Sequence, residues 1–118
     1  MLKKLGALAL AMVVLAASPG MAADLTAQML RQCMAKSQSQ LPELGRDDLA
    51  VTLQSYFDAG RDGMVNPAVV GSASPAFTWA HEARLACGEA LGYFKSGHVD
   101  VTTVTKCDCF YQRYISFR

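Results

Sequence analysis

The sequence predicts an all-α fold, a small disulfide-stabilised bundle of about four helices that follows a cleaved signal peptide. Three observations carry this: an N-terminal export segment, four cysteines in a chain of 118 residues, and apolar residues that recur at helical spacing. The export segment comes first. Met1-Leu-Lys-Lys is followed by an almost unbroken apolar run from Leu5 to Ala17, then Ser18-Pro-Gly-Met-Ala-Ala23. Two lysines, an apolar stretch too short to span a bilayer and the small residues Ala22 and Ala23 match a signal peptide cut after Ala23. Residues 1–23 are therefore expected to be removed. Residues 24–118 remain as one helical domain exported to the periplasm, with secretion as the alternative, and no stable membrane anchor is expected.

The first helix is expected from Asp24, as cap, through Lys36, with Leu25, Met29 and Cys33 on one stripe and Leu30 and Met34 broadening it. Pro42 and Gly45 mark the next turn. Asp47 and Asp48 then suit the first turn of a second helix, whose apolar positions Leu49, Leu53, Tyr56 and Phe57 follow helical spacing and which Gly60 is expected to end. Arg61 to Pro75 is dense in turn residues and reads as a long loop. Long loops in small domains often carry function, so Met64, Val65 and Asn66 are candidate contact residues, while Val69-Val70 can instead tuck into the core.

Ser74-Pro75 reads as an N-cap and a first-turn proline, opening a third helix through Phe94 with Ala80, Ala83, Cys87, Ala90, Leu91 and Phe94 on its buried stripe. Ala80, Ala83, Gly88 and Gly92 would let a neighbouring helix come close. Gly97 fits the residue after a helix end. Asp100 then caps a last helix from Val101 to Ile115, although Val101 to Thr105 are β-branched and make a short strand the alternative.

In an exported chain, four cysteines point to two disulfides. Cys107 and Cys109 are two residues apart and point away from each other on a helix or a strand, so they cannot bond together without distortion. Antiparallel third and fourth helices bring Cys87 level with Cys107 or Cys109, which leaves the other for Cys33. The competing reading is a Cys107-x-Cys109 metal or thiol site, with Met29, Met34 or Met64 as soft ligands.

Removing Lys3 and Lys4 with the signal changes the net charge from +1 to −1, and the charges are scattered. The electrostatic footprint of a nucleic-acid binder is missing. His81-Glu82 starts like a zinc-protease motif, but Leu85 occupies the second ligand position. Asp58 to Gly63 imitates half of a calcium loop, yet Gly60 and Val69 stand where ligands belong. His81 and His98, the only histidines, join no nucleophile motif. A non-enzymatic protein without cofactor is the expectation.

The remaining concentration of recognition chemistry is C-terminal: Phe110, Tyr111, Arg113, Tyr114, Phe117 and Arg118. Tyr, Phe and Arg are enriched at protein interfaces. Phe110 and Tyr114 suit the core; Tyr111, Arg113, Phe117 and Arg118 are interface candidates. The plan of an export signal and a short disulfide-linked helical domain resembles that of bacterial exported binding proteins, including small immunity proteins that neutralise secreted toxins. It implies a periplasmic or secreted protein as partner, with the immunity role as an alternative to a general binding or accessory role.

Overall fold

A computed structural model describes residues 27, 28, 31–33 and 39–118. The signal segment, the Asp24 cap, Leu25, Met29, Leu30, Met34 and Lys36 lie outside the described residues. Ala27, Gln28 and Arg31 to Cys33 are helical. The body is all-α: a 3-10 turn Leu41–Glu43, then α1 (Arg46–Val65), α2 (Pro67–Val70), α3 (Ala76–Lys95) and α4 (Val101–Phe117). Helix α3 lies at the centre, packed against both α1 and α4. Its buried stripe supplies Ala76, Trp79, Ala80, Ala83, Ala86, Cys87, Ala90 and Leu91. These meet Leu49 and Leu53 of α1, and Val104, Phe110 and Tyr114 of α4.

Helix α1 starts as the sequence predicts, after extended Gly45 and with Asp47 and Asp48 in its first turn. Its end differs. The helix runs through Gly60 to Val65, because Gly60 and Gly63 are buried contact points. A Cβ on Gly60 would lie 2.8 Å from the Ala80 carbonyl oxygen and 2.9 Å from the Arg84 nitrogen; on Gly63 it would lie 2.6 Å from the Tyr114 hydroxyl. Only a residue without a side chain allows α1 to lie this near α3 and α4. The close approach expected of α3's own glycines is divided. A Cβ on Gly88 would meet the Phe57 ring at 3.3 Å, whereas one on Gly92 would meet nothing within 4 Å.

The expected loop from Arg61 to Pro75 is mostly helix. Arg61 to Val65 completes α1, and Asn66 breaks it with extended backbone, as the residue before a proline must. The Asn66 Oδ1 then accepts the Ala68 N–H at 3.0 Å and caps α2, with Pro67 in the first turn. Val69 is buried and Val70 exposed. Asp58 to Gly63, being helical, cannot form the calcium-type loop.

Helix α3 begins one residue later than expected, with Pro75 flanking it and Ser74 Oγ accepting the Ala76 N–H at 3.4 Å. It ends on Gly97, whose φ of 85° is left-handed. The His98 N–H reaches the Tyr93 carbonyl and the Gly97 N–H the Phe94 carbonyl, both at 3.0 Å. Together they satisfy two carbonyls that the helix end would leave open.

Helix α4 decides between helix and strand for Val101 to Thr105. Asp100 Oδ2 accepts the Thr103 N–H at 3.0 Å. Thr103 and Val104 are buried, so cap and packing outweigh the β-branched preference. The bridges are Cys87–Cys107, with Cα atoms 4.6 Å apart, and Cys33–Cys109, at 5.5 Å. The first joins α3 to α4. The second ties the helical residues before Ser39 to α4.

Gly60→Ala is expected to lower unfolding stability by about 1–3 kcal/mol, because backbone must move to admit the methyl. The control Gly92→Ala, in open space on an exposed face, should gain up to about 1 kcal/mol from helix propensity. Urea denaturation of the two variants reads both signs. The hydrogen bonds from Thr103 hold the Asp100 carboxyl below the usual range. Its contribution is therefore present above the unfolded carboxylate pKa and is lost as pH falls through the lower folded value. Asp100→Ala should flatten this acid dependence in thermal melts, and Asp100→Asn should keep more of the neutral-pH stability than Ala does.

Candidate functional site

Extension of α1 to Val65 carries Asn66 to the end of the bundle where α4 finishes. There Asn66, Ala68, Val69, Ser72, Ala76, Tyr114, Phe117 and Arg118 surround a cleft of about 270 Å³. Val69, Ala76 and Tyr114 are buried and form its inner wall. Phe117 stands at the rim, 42% exposed. The Ser74 hydroxyl donates to the Phe117 carbonyl at 3.3 Å and fixes the end of α4 beside the turn that enters α3. The Arg118 guanidinium carbon lies 6.0 Å from the Tyr114 ring centre, at the outer limit of a cation–π contact.

The cleft combines an apolar wall with a cationic and amide-bearing rim. Chemically it can hold an apolar group and offer hydrogen bonds at its edge. The serine cluster organises the turn: Ser72 Oγ lies 2.8 Å from Ser74 Oγ and accepts the Ser74 N–H at 3.1 Å.

Of the interface residues picked from the sequence, Asn66, Phe117 and Arg118 meet here. Val65 is exposed on α1 but does not line the cleft, and Met64 packs half-buried against the core. Arg113 is half-buried along α4. Tyr111 belongs to a different group. Its ring stacks on Tyr56 with centroids 3.7 Å apart, joining α1 to α4.

Around that stack, Gln112 Nε2 donates to Tyr56 Oη at 3.5 Å and to Asp108 Oδ1 at 3.3 Å. Asp108 Oδ2 accepts the Ser39 hydroxyl at 2.7 Å. Burial, reinforced by the Asp108 charge, raises the Tyr56 pKa. The phenol stays protonated, which suits a structural hydrogen-bonding role and not a nucleophile. Sequence reading missed Val69, Ala76 and Tyr114 as cleft residues because burial signals core equally well. Ser39, Tyr56 and Asp108 carried no motif that joins them.

The cysteines of the Cys107-x-Cys109 motif sit in separate bridges, and no cysteine is free. A thiolate pair for metal would require both bridges to open. No group of three metal-ligating side chains occurs among the described residues. His81 lies half-buried in α3 and His98 in the turn after it; neither lines the cleft. Among the described residues no helix is long and apolar enough to cross a membrane.

The architecture defines a small all-α bundle with two disulfides, and such bridges belong to an oxidising compartment outside the cytosol. No protein family, characterised protein or solved structure matches this chain.

Stability should fall as pH rises above the ordinary phenol value of 10.0, since the unfolded chain then releases a proton that folded Tyr56 retains. Ultraviolet titration should show a late-ionising tyrosine component, and Tyr56→Phe should remove it.

Proposed function

We propose that the protein is a non-enzymatic binding or accessory protein of the periplasm that engages another exported protein through the cleft between α2 and the last turn of α4. The observation that supports this best is convergence. Two segments far apart in sequence, one expected to carry contacts as a long loop and the other for its aromatic and arginine content, share one concave surface with buried aromatic and aliphatic walls and an exposed Phe117. Binding energy in protein interfaces concentrates in such aromatic and arginine anchors seated near pockets. The structure gives Phe117 and Arg118 no closed core to complete; both remain exposed at the rim.

The test is affinity capture of tagged residues 24–118 from the periplasm of the host, run beside Ser72→Phe, which fills the cleft, and Phe117→Ala, which removes the anchor. A partner should co-purify with the unaltered protein and be reduced at least about tenfold by each variant, the size of a modest hot spot. Equal capture by all three proteins would place the contact elsewhere. Capture of nothing at near-native abundance would count against partner binding altogether. A single tight partner that is itself a secreted toxin would narrow the role to immunity.

A further inference from the structure

The two disulfides meet α4 two residues apart, yet they differ in the exposure of one residue, Cys109, and in the charges beside it. Cys87 and Cys107 are both fully buried. They also join helices that are already held together by the Ala83, Leu91, Val104 and Phe110 core. A reductant reaches that bridge only by opening the core.

Cys33–Cys109 is placed otherwise. Cys109 is only partly buried, whereas Cys33 has no exposure. Among the described residues, no hydrogen bond or ion pair ties Arg31 to Cys33 to the body of the bundle; the disulfide alone does so covalently. The chain is anchored independently again at Ser39, through its hydroxyl on Asp108, and at Leu41, packed on the core. The packing of α1, α3 and α4 on one another does not run through this bridge, so opening it leaves those contacts in place.

The charges around it also favour exchange. Lys106 and Arg113 stand three residues before and four after Cys109, positions that share its helix face, and neither enters an ion pair among the described residues. Asp108 adds the opposing charge, but its oxygens accept hydrogen bonds from Ser39 and Gln112. Cations beside a sulfur stabilise both an approaching thiolate and a thiolate that leaves.

We propose that Cys33–Cys109 is a site of thiol–disulfide exchange, opened by a dithiol reductant of the compartment while Cys87–Cys107 stays closed. One thiolate of the reductant attacks Cys109 Sγ, forming a mixed disulfide and expelling the Cys33 thiolate. The second thiol of the reductant then attacks its own sulfur in that mixed disulfide and releases Cys109 as thiolate. The reductant is oxidised to a disulfide, and the two electrons and two protons it gives up end as the Cys33 and Cys109 thiols. The partner is thus a dithiol, and the consequence is that Cys33 loses its covalent tie to α4.

The folded, oxidised protein is treated with graded dithiothreitol at neutral pH, quenched with iodoacetamide and mapped by peptide mass spectrometry. Alkylated Cys33 and Cys109 should accumulate at least about tenfold faster than alkylated Cys87 and Cys107, as accessibility dictates. The charge reversal Lys106→Glu/Arg113→Glu should slow the first step severalfold without changing the urea midpoint. Simultaneous opening of both bridges, or earlier alkylation of Cys87 and Cys107, would overturn the proposal. So would an exchange rate indifferent to the charge reversal.

Discussion

Everything distinctive in this structure depends on how closely α1 lies against α3 and α4. Gly60 rests on the Ala80 carbonyl and the Arg84 amide, and Gly63 on the Tyr114 hydroxyl, at separations that no Cβ fits. Helices ordinarily pack 8–10 Å apart, with side chains between them. Here the side chain is missing on one partner, so backbone meets backbone and ring. The buried stripe of α3 can then be built largely from alanines, while Trp79, Phe110 and Tyr114 are the large aromatic members of the core. Trp79 and Phe110 pack with ring centres 5.8 Å apart.

The same contact positions the cleft. Because α1 continues past Gly60, its end lies beside Tyr114, and the chain must turn there. Asn66 and Pro67 make the turn by ordinary means, an extended residue before proline and an asparagine cap. The turn places Ala68 and Val69 opposite Phe117. A helix that stopped at Gly60 would leave the last turn of α4 uncovered. Concavity at this end of the bundle is thus a consequence of the glycine contact and not of a dedicated loop.

Much of the fold was legible from local signals. Asp100, Gly97 and the acidic first turn of α1 each mark a helix boundary through a hydrogen bond or a dipole interaction confined to a few residues. The hairpin level of Cys87 with the last helix was legible too, since it follows from counting residues on either side of a turn; which of Cys107 and Cys109 it joins was not. Gly60 misled for a physical reason. Glycine ends helices and also permits close packing, and only the position of the neighbouring helix separates the two uses. The extent of α1, and with it most of the supposed loop from Arg61 to Pro75, followed from that ambiguity. For the cleft, exposed Phe117 and Arg118 were recognisable by type, whereas Tyr114 served both core and cleft. Composition carries no sign of such a double role.

The bridges add a second layer of constraint. Cys87–Cys107 reinforces a helix pair that packing already holds, and Cys33–Cys109 ties the buried Cys33 to α4. The bundle depends first, however, on the α1 contact. The most direct test is a nuclear Overhauser spectrum of the oxidised protein, assigned at Gly60, Gly63, Ala80 and the Tyr114 ring. Strong cross-peaks from the Gly63 Hα protons to the Tyr114 ring, and from Gly60 Hα to the Ala80–Arg84 turn, are the predicted result. Their absence, with helical shifts ending at Gly60, would contradict the account.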